Sequence, residues 1–325
     1  MNMFDRLKNV IDTQISKMFL QQMYEKGISV FRAKFGQQFK GYDELLTQAS
    51  YVLTNSNPYI DFPRPMLHKT VPIGGITISL DRKKTALNET WNTILSERRY
   101  TVLISFGTVS KAAFMPEKYK KGLLEVFKSM QDTTFLWKYE GTEIDLANIP
   151  NVYLNTWFPQ YALLSDNRLT AFITHAGLGS VTEAAFLGKP TIFIPVFSDQ
   201  ARNAKMMVRH RGGILMSKFD LEHPSKLREN LRLIINDPSY AENAKRLSDL
   251  LLNQPFTAKE LAVKHCEFAA RFGRTTNLDA YGRHLSFVQY YLIDVFSIIG
   301  LILSVVLFLT FKIVNTLLLN TQKTK

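Results

Sequence analysis

From Tyr100 onward the chain alternates between two hydrophobic patterns. Short runs that are apolar at nearly every position, "YTVLISFG", "TTFLWKY", "NVYLNTW", "LTAFITH" and "PTIFIPV", read as strands covered on both faces, as in a parallel sheet. Between and after them come segments with apolar residues three and four apart, which read as helices. These are "PEKYKKGLLEVFKSM" with Pro at its first turn, "PQYALLSD", "SVTEAAFLG" closed by Gly188, "DQARNAKMMVRHRG", "PSKLRENLRLIIND" and "SYAENAKRLSDLLL". Such alternation predicts a doubly wound α/β domain. Upstream the pattern changes. Residues 4–35 repeat apolar groups at helical spacing, and "SYVLTNSNPYIDFPRP" holds a short strand, Tyr51 to Thr54, that runs into a loop rich in Asn and Pro. "VPIGGITIS" reads as a second extended piece, and the polar stretch from Leu80 to Arg99 as a linker.

The polar residues of the alternating region gather where its strands end. In open α/β sheets that is where ligands bind, outside the carboxyl ends of the strands. Ser105 and Gly107 close one strand, Trp157 and Gln160 another, His175 to Ser180 a third, and Asp199-Gln200 follow a fourth. Gly177 and Gly179 let the backbone approach a ligand closely. Free N–H groups at a helix start attract phosphate, so residues 178–181 could seat a diphosphate, with His175 adding a ring N–H. Ser180 followed three residues later by Glu183 also fits a capping box, which would be purely structural. Trp157 could fill a core or stack on a planar base. Asp199 and Gln200 pair an acceptor with a donor-acceptor amide, a combination that suits vicinal sugar hydroxyls. No two aspartates are one residue apart, so no metal and no cofactor is expected, and ligand charge would be met by the helix end and side chains.

Composition narrows the field. The 325 residues suit two domains, and 46% apolar content allows a real core. The net charge of +12 is scattered, and its tightest groups, 81–84 and 97–99, are short and flanked by acids, so no nucleic-acid partner is expected. The one cysteine, Cys266, excludes an internal disulfide and is expected to pack in a helix face. A sequon at Asn88 would be used only in a luminal domain. The start of the chain shows no apolar core of a signal peptide. Near the end, Tyr290 to Phe311 is long and apolar enough to span a bilayer, with tyrosines at its edge. Lys312, Lys323 and Lys325 follow it with no acid, which places the tail in the cytoplasm.

Taken together, "WFPQYALLSDNRLTAFITHAGLGSVTEAAFLGKPTIFIPVFSDQARNAKMM" closely resembles the donor-binding signature of UDP-glycosyltransferases, especially the membrane-bound UDP-glucuronosyltransferases. "YDELLTQASYVLTNSNPYIDFPRPMLHKTVPIGGI" resembles the stretch this family carries before its donor domain, "ISFGT" its first donor strand, and "YYLIDVFSIIGLILSVVLFL" its terminal anchor. The resemblance implies a GT-B fold, with two Rossmann-like lobes and a nucleotide sugar between them. It implies that Trp157 stacks on uracil, Gln160 contacts the ribose side and Ser105 touches the nucleotide. His175 and Ser180 would hold the diphosphate, Glu183 would accept from ribose hydroxyls, and Asp199 with Gln200 would orient the sugar. Gly179 departs from the Asn that many members carry there.

The family reaction is an inverting transfer, in which a His of the N-terminal lobe deprotonates the acceptor hydroxyl. No His precedes His68, so the catalytic base is expected in a lobe that residues 1–79 represent only in part. The expected division is 1–79 as remnant of the acceptor-side lobe, 80–99 as linker and 100–265 as UDP-sugar-binding domain. A return helix and juxtamembrane segment follow at 266–288, then a transmembrane helix at 289–311 and a cytoplasmic tail at 312–325. The resemblance implies an endoplasmic reticulum enzyme using UDP-glucuronic acid or UDP-glucose on small lipophilic acceptors. It would be single-pass, with its donor domain luminal, and able to form homo- or hetero-oligomers with related transferases. The alternative is a non-catalytic, membrane-anchored UDP-sugar-binding subunit or a truncated isoform lacking the catalytic-base lobe.

Overall fold

A computed structural model describes residues 2–79 and 85–323. The basic group at 81–84 and the first residues of the expected linker therefore lie outside the described residues. In chain order the elements are α1 (Met3–Phe35), α2 (Tyr42–Gln48), β1 (Val52–Thr54), β2 (Thr70–Pro72), α3 (Glu89–Ile94) and β3 (Tyr100–Ser105). They continue with α4 (Glu117–Ser129), β4 (Thr133–Lys138), β5 (Val152–Asn155), α5 (Gln160–Ser165), β6 (Ala171–Thr174) and α6 (Leu178–Phe186). Then come β7 (Thr191–Phe193), α7 (Gln200–Val208), β8 (Gly213–Leu215), α8 (Pro224–Asn236), α9 (Pro238–Leu252) and α10 (Ala258–Phe272). The chain ends in α11 (Phe287–Tyr290) and α12 (Ile293–Lys323).

The chain divides into two compact units. One comprises residues 1–50, 66–69 and 272–325, and the other 51–65 and 70–271. In the second unit, β3 to β8 form a parallel sheet in the order β5-β4-β3-β6-β7-β8. The winding reverses between β3 and β6, which are neighbours in register from Val102 opposite Ala171 to Ser105 opposite Thr174. This is the doubly wound arrangement, with its switch point at the carboxyl ends of those two strands.

The period of two along β3 sorts its side chains between two cores. Val102 and Ile104 pack with Leu123, Val126 and Phe127 of α4 and Leu227 and Leu231 of α8. Leu103 points the other way, to Phe158, Leu163, Leu164 and Phe172. Each such fully buried side chain stabilises the fold by about 1.5–3 kcal/mol. The continuous apolar runs are therefore a direct consequence of helices on both faces.

Several expectations need correction. The stretch read as a linker contains α3, capped by Asn88, whose side chain accepts from Trp91 N. Ile94 and Leu95 enter the same core as Leu163, and Arg168 ties Asn92 and Ser96 to the domain. Its polar residues are the solvent face of a packed element. β8 was not separable by pattern, because three residues beside a Gly pair carry too short a signal. Cys266 is exposed. On α10 the packed positions are Ala262 and the half-buried Leu261, His265 and Ala269, and Cys266 lies just off that stripe. His265 meets Tyr51 edge-on, with ring centroids 4.8 Å apart.

In the first unit the apolar terminal helix begins at Ile293 rather than at Tyr290. Leu292 adopts a left-handed conformation, φ 54°, and separates it from the one-turn α11 capped by Ser286. The stretch from Ile293 to Leu317 is long and apolar enough to cross a membrane, and the segment read as a tail continues the helix as far as Lys323. Asp279 binds Lys69 at 2.9 Å and Arg283 at 2.8 Å, with Arg274 as a further partner. That pairing joins residues 66–69 to the C-terminal segment and holds the Asp279 carboxyl down to about 2, the bonds to Lys69 and Arg274 being the main cause.

Candidate functional site

At the carboxyl ends of β3, β4 and β5 a cavity of about 360 Å³ opens. Its lining includes Ser105, Gly107, Trp157, Gln160, Ser180 and Glu183, which separate parts of the sequence supply. Trp157 follows β5 and is 67% exposed, so its ring is free of core packing. Its backbone N–H donates to Asn155 Oδ1 at 3.2 Å, which fixes the turn that presents it. Gln160 opens α5, and its Nε2 donates to Glu183 Oε2 at 2.6 Å and to Ser180 Oγ at 3.2 Å.

Those two bonds decide the role of the Ser180-Glu183 pair. The N-cap of α6 is Gly177, which makes no side-chain cap, so Ser180 and Glu183 are not a capping box. Ser180 lies in the first turn of the helix and Glu183 in the second, and both bond to Gln160. The first-turn N–H groups of α6 consequently stay uncapped, which keeps them open to an anion. Glu183 is held above the usual carboxylate range because burial outweighs the Gln160 bond.

His175 lies between two glycines. A Cβ on Gly107 would come within 2.6 Å of His175 Cε1, and one on Gly177 within 2.6 Å of Nε2. Gly107 also takes φ 88°, a conformation that disfavours side chains. Burial pushes the His175 ring below its ordinary value, partly offset by the Ser105 carbonyl and the charge of Asp199. Gly179 is exposed, and nothing stands within 4 Å of where its Cβ would be.

Asp199 and Gln200 follow a different course. Asp199 lines a second cavity, of about 120 Å³, with Asn57, Asp61, Thr182, Arg202 and Asn203. Gln200 is buried, and its Oε1 accepts from Val196 N at 2.8 Å and Phe197 N at 3.0 Å. The acceptor half of that amide thus shapes its own loop, which the expectation of a free donor-acceptor pair overlooked. α7 is in turn clasped by the upstream segment: Arg202 pairs with Asp61, and Arg209 lies over the Phe62 ring at 4.9 Å.

The pattern missed Thr108 and Lys138, both of which line the larger cavity. Lys138 Nζ donates to Gly107 O at 2.8 Å and Glu140 Oε1 at 2.6 Å, so a cation braces the glycine beside His175. It closes β4, and the strand-end rule that found the other residues applies equally to it.

A family model described as "UDP-glucoronosyl and UDP-glucosyl transferase" matches residues 1–325. Human UDP-glucuronosyltransferase 1A1 is 32% identical over 316 residues, covering 96% of this chain and 57% of that protein. Caenorhabditis briggsae ugt-47 is 30% identical over 298 residues, covering 90% of this chain and 55% of its own length. The chain therefore spans just over half the length of these relatives. Among solved structures, the glycotransferase of kitacinnamycin superposes with a TM-score of 0.59 at 18% identity, covering 82% of this chain and 66% of that one. A UDP-glucosyltransferase from Polygonum tinctorium gives 0.54 at 19% identity, covering 68% and 54%. These neighbours share the GT-B fold. With the family model spanning every residue, the chain belongs to the UDP-glucuronosyl and UDP-glucosyl transferase family.

Proposed function

We propose that this chain is the donor-binding half of a membrane-anchored UDP-glycosyltransferase that transfers glucuronic acid or glucose, with inversion, to hydroxyl groups of small lipophilic acceptors. The observation that supports it most is the cavity at the sheet's switch point. One exposed indole, one carboxylate–amide–hydroxyl cluster and one uncapped helix N-terminus border it. Uracil would stack on Trp157, and ribose hydroxyls would donate to Glu183 beside Gln160. The diphosphate would meet the α6 amides, Ser180 and His175. Asp199, with the free half of Gln200, would orient the sugar. No metal is needed in this reading, since helix end, His175 and the nearby Lys138 face the diphosphate charge. The proton-abstracting base would come from the acceptor-side half of the family's architecture. With α12 as its anchor, the chain would sit in the endoplasmic reticulum membrane with the donor domain luminal.

The test is calorimetric titration of the detergent-solubilised chain with UDP, UDP-glucose, UDP-glucuronic acid and ADP-glucose. The uridine ligands should bind with or without EDTA and ADP-glucose should not. Equal binding of the adenine ligand, or loss of binding in EDTA, would refute the assignment. Acceptor-dependent release of UDP from the same preparation would separate a turnover-competent chain from a donor-binding subunit.

A further inference from the structure

We propose that Asn203 is a positioning residue that sets the carboxylate of Asp199 against the His175–Gly177 turn and so governs binding of the sugar rather than of the nucleotide. This rests on the reading of Asp199 as the sugar-orienting group. Asn203 lies four residues after Asp199, one turn along α7, and is 2% exposed. Its Nδ2 donates to Asp199 Oδ2 at 2.8 Å and to the Ala176 carbonyl at 3.2 Å. A carboxamide nitrogen carries two protons, and both are engaged. One side chain therefore joins the loop after β7 to the turn after β6.

Both ends of this bridge need a constraint. Asp199 is the N-cap of α7 but makes no side-chain bond to the helix amides, so the helix does not fix its carboxylate. The bond from Asn203 leaves Oδ1 without a hydrogen bond among the described residues, as the oxygen open to a ligand. Ala176 holds φ 66°, unusual for a residue with a side chain, and it is the residue between His175 and Gly177. Such a conformation persists only where the surroundings over-determine it. The turn is therefore a fixed anchor, and Asn203 bonds its Ala176 carbonyl from the helix that carries Asp199. The charge of Asp199 is also felt at the His175 ring, so the two loops are electrostatically linked as well.

The arrangement predicts a split between ligands. Among the described residues no side chain assigned to the nucleotide, Trp157, Gln160, Ser180, Glu183 or the His175 ring, bonds to Asn203, which reaches that turn only through the Ala176 carbonyl. Replacing Asn203 should free the Asp199 carboxylate to rotate and should weaken binding of the sugar moiety alone.

A double-mutant cycle on the full chain tests this, with dissociation constants measured for UDP and for UDP-glucose. Asn203→Leu, close to Asn in shape but without donors, should leave UDP affinity within about twofold. It should weaken UDP-glucose about tenfold, the loss expected for a hydrogen bond to a charged group. In an Asp199→Ala background the same substitution should cause no further loss. Asn203→Ala, which also removes both donors, carries the same comparison if Asn203→Leu fails to fold. Equal losses for the two ligands, or additive losses in the Asp199→Ala background, would overturn the role of Asn203 alone. Asp199→Ala with unchanged UDP-glucose affinity would instead remove the reading of Asp199 on which the proposal stands.

Discussion

His175 carries the clearest electrostatic signature of the site. Burial pushes its pKa below the ordinary imidazole value, which favours the uncharged ring. A group depressed in this way contributes stability that is present above its unfolded pKa and lost as pH falls through the folded value. A pyrophosphate diester brings negative charge that does not titrate in this range, and its arrival favours the protonated ring. UDP-glucose should therefore bind more tightly as pH falls from 8 toward the depressed value, and level off below it. His175→Gln should flatten that slope, as titrations at several pH values would show; an unchanged slope would move the titrating group elsewhere. Trp157→Ala should weaken UDP by about 1–3 kcal/mol, the usual worth of a base stacked on an aromatic side chain. At this scale most of the site was legible, because polar residues at strand ends stand out against apolar strands. Spacing left one alternative open: Ser180 and Glu183 fit a capping box three apart, and the Gly177 N-cap and the Gln160 contact across 23 residues close it.

The helices and turns set what the site tolerates. Gly179 stands free in the first turn of α6, so Gly179→Asn should leave the melting temperature nearly unchanged. Its amide would add a donor beside the helix N-terminus and should tighten UDP binding. Gly107→Ala has no such room, since the new methyl would meet the His175 ring in a positive-φ conformation. It should lower the melting temperature, by the equivalent of about 1–3 kcal/mol. Away from the site, Asn151 Nδ2 faces the carbonyls of Phe127, Met130 and Thr133, each at 2.9 Å, and secures the turns around β4 and β5. Asn151→Ala should cost about 1–3 kcal/mol, read by thermal melting, because those buried carbonyls lose the Asn151 donor and Phe127 O and Met130 O keep only the backbone N–H groups of Met130 and Thr133. Strands and long helices announced themselves through period. α3 did not, because a six-residue helix with one buried face has too few apolar positions to outweigh Asn, Glu and Arg around it.

For the whole chain, the doubly wound domain followed from the alternation of continuous apolar runs with helical stripes. Its strand order did not, since register between distant strands leaves no local trace. The apolar helix from Ile293 to Leu317 was legible by length, and its true start was hidden in the backbone of Leu292. If that helix is an anchor, the chain should remain with the membrane pellet after alkaline carbonate extraction. A chain ending at residue 285 should then be released, and release of the intact chain would argue against an anchor.

The strand order has a further consequence, for amide hydrogen exchange. β3 and β6 are the two central strands of the six, whereas β5 and β8 are the edge strands among the described residues. Protection should therefore peak at Val102–Ile104 and Phe172–Ile173 and decline outward in both directions. The floor of the proposed nucleotide site should thus already be the slowest-exchanging part of the domain. A bound nucleotide has little left to slow there, and its footprint should appear in the turns at 105–108, 157–160 and 175–180.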